Sequence, residues 1–147
     1  MKMTKKQYND YVNSLCPKSP LWKDVCLAFL IGGGICTLGQ LIQNAYGALG
    51  LEKEIAGMLT SVSLIFLSCL ATGLSLYDDL AKLGGAGTLV PITGFANAIA
   101  SPAIEFQAEG FILGVGAKMF TIAGPVLVYG ISASVIYGLI VYLLSLL

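Results

Sequence analysis

Arginine and histidine are absent from this 147-residue chain, and only 11% of its residues are charged; an ordinary soluble domain carries about 25%. The missing histidine removes the commonest general base and the commonest metal ligand. No serine has a lysine base at a recognisable spacing, so neither enzymatic activity nor a bound cofactor is expected. Eight lysines balanced by eight acids leave no net charge, and nucleic acid is not an expected partner because the basic stripe it requires is missing. Cys16, Cys26, Cys36 and Cys69 have no C-x-x-C spacing, and three of them sit in apolar runs where a thiol acts as a small hydrophobe. Gly84, Gly85 and Gly87 lack the lysine and the Ser or Thr of a phosphate-binding loop. Asp78 and Asp79 are adjacent, whereas an aspartyl-protease pair faces itself from separate helices.

What the chain has instead is apolar length. Hydrophobic residues make up 56% and the mean hydropathy is +0.84, more than one small globule can hide, since a domain of this size still exposes about a third of its unfolded area. Lipid is the expected solvent. The expected fold is all-α: a polytopic integral membrane protein with three full transmembrane helices and a broken or re-entrant half-helix module that is a candidate fourth crossing.

Val25 to Tyr46 runs for 22 residues without a charge, about 33 Å of helix against a hydrocarbon core of about 30 Å. Ile55 to Tyr77 and Pro125 to Leu147 are two further uncharged runs. The spans 25–46, 55–77 and 125–147 therefore form one transmembrane domain, 25–147, behind a leader, 1–24. Gly47 to Gly50 with Glu52, Lys53 and Glu54 reads as the first turn, and Asp78 to Gly87 as a polar, glycine-rich loop.

The leader carries Lys2, Lys5, Lys6, Lys18 and Lys23 against Asp10 and Asp24, which places the N-terminus in the cytoplasm. A secretory signal is the competing reading, but Val25 to Ile42 is long for its apolar core and lacks an A-x-A-like exit. Tyr8, Tyr11, Val12 and Leu15 draw an apolar stripe at i, i+3, i+4, i+7 on a short helix ending before Pro17. Such a helix suits the headgroup plane, with Trp22 as an aromatic anchor; a frayed tail is the plain alternative.

Between the second and last runs, 88–124 is apolar but interrupted by Pro91, Gly94, Pro102, Gly110, Gly114 and Gly116, and it carries Glu105, Glu109 and Lys118. Irregular backbone survives at membrane depth only where protein or a wet cavity satisfies its polar groups. Pro91 and Pro102 suit the first turns of two half-helices, Pro91 to Ala100 and Pro102 to Ala108. Phe111 to Gly124 is short for a crossing and alternatively extends the last helix. The side of the C-terminus is left open.

Gln40, Gln43 and Asn44 crowd amides onto one face of the first span, more than packing requires, and suggest a pore-lining or partner-contacting role. Gly57, Ser61, Ser68, Thr72 and Ser75, and the row Gly130, Ser134, Gly138, read more simply as helix packing. Glu105 and Glu109, four apart, would share a helical face, where a bound cation, a raised pKa in one of them or exposure must offset their repulsion. Interfacial charges without a transport role are the plain reading. Lys118 falls on the opposite side of such a helix and needs a partner elsewhere.

The run Leu76-Tyr77-Asp78-Asp79, then Gly85-Ala86-Gly87-Thr88-x-Val90-Pro91-Ile92-Thr93-Gly94-Phe95-Ala96-Asn97, then Ser101, Ala103, Glu105 and Glu109-Gly110, resembles the signature of the stage V sporulation protein A (SpoVA) membrane subunits of the AC and AE-b type. Gly32-Gly33, Gly39-Gln40 and Pro17 also fit it. The resemblance implies a subunit of the spore inner membrane that works with an AE-b-type membrane subunit and a soluble AD-type subunit. It also implies a role in moving calcium-dipicolinic acid during sporulation and germination. Together with the broken module it makes Thr93, Asn97, Glu105 and Glu109 the expected lining of a route, with Gln40 and Gln43 facing it. Glu105 and Glu109 become candidates for transient calcium contact, and the half-helix N-termini for meeting the anion. The alternative is a membrane scaffold that docks the soluble subunit without forming the pore.

Overall fold

The computed structural model describes residues 4–15 and 20–146; the expectations that rest on Lys2, Cys16, Pro17, Lys18 and Leu147 lie outside them. The described residues are helical with no strand. Lys5–Leu15 forms α1, Leu21–Ala48 α2 and Lys53–Gly73 α3. Leu76–Gly84 forms α4, Ala86–Leu89 α5, Ile92–Glu105 α6 and Ala117–Ser145 α7. A 3₁₀ turn, Gln107–Glu109, and a π-helical segment, Phe111–Gly116, join the last two.

Three helical segments are long and apolar enough to cross a membrane: Leu21–Ala48, Lys53–Gly73 and Phe111–Ser145, with mean hydropathies of 2.0, 1.9 and 2.1. They are the three expected crossings. The first turn closes as a Schellman motif: the Gly50 N–H donates to the Gly47 carbonyl and that of Leu51 to Tyr46, with Gly50 at φ +84°. α3 then runs back along α2. The Tyr46 and Ser63 hydroxyls share a 2.8 Å hydrogen bond, and buried Gly39 lies beneath Leu64.

The second span ends sooner than its apolar run. Helix α3 stops at Gly73, and Ser75 adopts a left-handed conformation at φ +60°, which costs about 1–3 kcal/mol outside glycine and marks a forced turn. Tyr77, expected inside the span, is on the next helix. The expected polar loop 78–87 is likewise helical, and its glycines serve close packing. A β-carbon on Gly87 would strike the Ala28 carbonyl, and one on Gly32 would sit 3.0 Å from the Gly87 carbonyl oxygen. Backbone thus meets backbone where α5 crosses α2.

Beyond Pro91 the chain reverses. α6 runs parallel to α3, because Ser68 pairs with Thr93 and, one turn further on both helices, Thr72 pairs with Asn97. Segment 76–105 therefore runs from the end of α3 to the start of α2, where Lys82, Leu83, Gly85 and Ala86 lie by Leu21, Asp24 and Ala28. It then turns back, reverses at Val90 and Pro91 beside Phe29, Gly33 and Cys36 near the middle of α2, and returns as α6. Its 14-residue descending limb spans about 21 Å, too little for a full crossing.

Pro91, expected in a first turn, instead caps α6 as the extended residue before it, and Pro102 starts no second half-helix; it lies inside α6. Only the last turn follows it, so the single bond it forfeits is to the Ala98 carbonyl, near an end that frays in any case. Phe111 to Gly124 extends the last helix, which continues through Pro125. Gly110, at φ +97°, accepts from both Gly114 and Val115, opening the π turn. Gly114 is buried, and a β-carbon there would strike the Phe106 carbonyl. The hairpin thereby joins α7, which packs on α6; from Pro125 onward every described residue is exposed.

Candidate functional site

Two hydrogen-bonded layers fix α6 against α3, and a third, from Tyr77, ties α4 to α5 and α6. The Ser68 hydroxyl donates to the Thr93 carbonyl oxygen at 2.6 Å. The Tyr77 hydroxyl donates to the Thr88 carbonyl oxygen at 2.8 Å and shares a 3.1 Å bond with the Thr93 hydroxyl. Thr72 Oγ1 lies 2.8 Å from both the Ser68 carbonyl oxygen and the Asn97 side-chain amide. Ser68, Tyr77, Thr88 and Thr93 are buried at 3%, 5%, 2% and 6% exposure, so the bonds among these four are made where water does not compete. They satisfy the backbone at the point where the helix breaks.

Below Thr72 a cavity of about 300 Å³ opens between the end of α3, α4 and α6. Thr72 and Ser75 line it from one side, Asp78 and Ala81 from α4, and Asn97, Ser101, Ile104 and Glu105 from α6. Two carboxylates and several neutral oxygens thus face one space, the donor set a hard divalent cation prefers. Asp78 is also held by Lys82, whose ammonium lies 2.7 Å from Asp78 and 3.2 Å from Asp79 on the next turn. The hydrogen bond to Asp78, then that to Asp79, raises the Lys82 pKa above its ordinary value, keeping it cationic at any physiological pH.

The expected site residues divide among separate places. Asn97 and Glu105 share the cavity, and Thr93 sits one turn above in the buried network, lining a small apolar void with Ile35 and Leu64. Glu109 is elsewhere. Helix α6 ends at Glu105, and Phe106 with the 3₁₀ turn intervenes, so the two glutamates do not share a helical face. Asp78 takes the place of Glu109 as the second acid beside Glu105. Among the described residues no group of three or more Cys, Asp or Glu side chains could hold a metal ion.

Gln40 and Gln43 do not face this cavity either. With Asn44, Gly47, Leu51, Lys53 and Ala56 they line a second space of about 570 Å³ at the other end of α2, where Gln40 donates to Asn44 at 2.9 Å. Lys118 finds its partner in an aromatic ring: its Nζ lies 4.3 Å from the Phe106 centroid, a cation–π contact. Sequence reasoning assigned Ser68 and Thr72 to packing and Asp78 to a loop; the row of hydroxyls Ser61, Ser68 and Thr72 on one face of α3 was the signal for the first two.

These features define a polytopic helical membrane protein whose short helical hairpin borders an open, polar, acid-bearing cleft at one end of the bundle. Within that class, the chain belongs to the SpoVAC/SpoVAEB sporulation membrane protein family, whose model matches residues 24–140. It is 43% identical over 137 residues to stage V sporulation protein AC of Bacillus subtilis strain 168, covering 92% of this chain and 91% of that one. No solved structure matches it.

Proposed function

We propose that this sporulation membrane protein is a channel or transporter subunit of the SpoVA complex, moving calcium-dipicolinic acid across the spore inner membrane during sporulation and germination. It works without enzymatic chemistry, beside an AE-b-type membrane subunit and a soluble AD-type subunit, with its N-terminus in the cytoplasm. The observation that carries this reading is the cavity between α3, α4 and α6, where Asp78 and Glu105 face neutral oxygens of Thr72, Ser75, Asn97 and Ser101. An acid-lined mouth attracts calcium and repels free dipicolinate, a dianion, so the pair travels as a near-neutral complex. The amides of Gln40 and Gln43 beside Lys53, with no carboxylate among their cavity partners, suit the anion at the other end of the route. Of the two helix N-termini expected to serve it, the one at Pro91 remains.

The test is calcium-dipicolinate uptake and release in spores carrying Asn97→Ala, Glu105→Gln or Glu109→Gln at normal protein levels. Asn97→Ala and Glu105→Gln slow both, and Glu109→Gln has the smaller effect; wild-type behaviour in the first two removes the assignment. The scaffold reading draws on a different observation, the exposure of α7 from Pro125 onward, which is free to meet a neighbour. Reconstituted chain that conducts on its own favours the channel. Absence of conductance in every combination containing it favours the scaffold that docks the soluble subunit.

A further inference from the structure

Helix α1 is closed at its start by its own side chains. Thr4 and Gln7 form a capping box: the Thr4 N–H donates to Gln7 Oε1 at 3.0 Å, and the Gln7 N–H reaches back to Thr4 Oγ1 at 3.5 Å. The helix then runs 11 residues to Leu15, and among the described residues none of the closely packed helix pairs includes it. At 100° per residue, Tyr8, Tyr11, Val12 and Leu15 fall within an arc of about 100°. Tyr8, Val12 and Leu15 are 59%, 36% and 62% exposed. An apolar stripe of that kind needs a cover.

We infer that the cover is an anionic lipid surface, and that α1 is a surface anchor lying in the headgroup layer at the start of α2. Reach argues for it first. Six Cα steps separate Leu15 from Leu21, so at about 3.5 Å each the helix lies within about 21 Å of the first crossing. Charge argues for it second. Lys5 falls beside the apolar arc, Lys6 lies on the polar side, and Lys2, Lys18 and Lys23 neighbour the helix in sequence, against Asp10 and Asp24. A basic, weakly amphipathic helix gains from apolar insertion and from anionic headgroups together, and neither suffices for so short a segment alone. Trp22, 82% exposed in the first turn of α2, suits the same layer.

The test uses the full-length protein in lipid nanodiscs of phosphatidylcholine, with or without phosphatidylglycerol. Val12→Trp in a Trp22→Phe background reports on the stripe, and Asn13→Trp on the opposite face. In anionic discs the Val12→Trp emission is blue-shifted and quenched by acyl-chain-brominated lipid, while Asn13→Trp remains water-like. Lys5→Gln and Lys6→Gln each lower the seated-to-free ratio about fivefold. A water-exposed Val12→Trp in both compositions overturns the anchor, as does one shielded without bromine quenching, which means a protein partner covers it. Equal seating in neutral and anionic discs overturns the part assigned to charge.

Discussion

Tyr77 and Thr88, eleven residues apart, are joined by a 2.8 Å hydrogen bond from the tyrosine hydroxyl to the threonine carbonyl oxygen, and both are buried. Thr88 is in the short α5, just before the chain reverses at Pro91, so this bond satisfies backbone that the helix has abandoned. Tyr77→Phe keeps the ring and removes the hydroxyl. Leaving a buried acceptor unpaired costs about 1–3 kcal/mol, and the detergent-solubilised variant unfolds several degrees lower, at about 2–4 °C per kcal/mol. Differential scanning fluorimetry reads the shift; a melting temperature equal to wild type would show that the hydroxyl is replaceable.

Gly87 tests the close crossing of α5 and α2. The carbonyl that a β-carbon would strike is backbone, so no side chain can swing aside and the helices must separate. Gly87→Ala therefore lowers the yield of monodisperse protein sharply. Gly33→Ala, on the same stretch of α2 but with nothing within 4 Å of the added carbon, is tolerated. Size-exclusion profiles of the two variants distinguish a packing requirement from a general intolerance of alanine in this region.

The crossings were legible in the sequence because membrane length and charge depletion are one-dimensional properties, and they mark Leu21–Ala48, Lys53–Gly73 and the last helix alike. The interruption around Pro91 was legible for a similar reason, proline and glycine being local signals. What escaped was helix α4 and the glycine turn that follows it. Asp78, Asp79 and Lys82 look like a loop, yet on a helix they form i,i+3 and i,i+4 ion pairs, and the glycines after them permit backbone contact with α2. The acid pair escaped because Glu105 and Glu109 sit at helical spacing, while the helix ends between them, at a turn where the Phe106 carbonyl packs on Gly114. Partner choice at Glu105 depends on where α4 lies, and sequence spacing does not encode that.

Asp78 and Glu105 face one cavity, so their substitutions should couple. If both carboxylates attend the same calcium, removing either loses most of the benefit, and the double variant Asp78→Asn, Glu105→Gln is little worse than the more damaging single one. Glu109, outside that cavity, behaves independently of Glu105, and their effects multiply. Rates of calcium-dipicolinate accumulation in spores of the six genotypes, wild type included, give both cycles. Multiplicative effects at Asp78 and Glu105 would mean that they act on separate ions or separate steps.

Helix α4 ends beside the start of α2, and α6 runs parallel to α3 toward the same end, so access to the cavity is one-sided. Three crossings then place the C-terminus on the face opposite the start of α2. Single cysteines are placed in a chain whose four native cysteines are alanine, and a membrane-impermeant maleimide is added from each face in turn. At Ser75, Asp78, Ser101 and Glu105 the cysteine reacts from the face where α2 starts. At Thr88, Thr93 and Ala96, all buried, it is protected from both, and a cysteine appended after Leu147 reacts from the opposite face. Labelling of the first group from the α2 C-terminal face would mean that α4 to α6 cross the bilayer instead of returning, and the cavity would then open toward the other compartment.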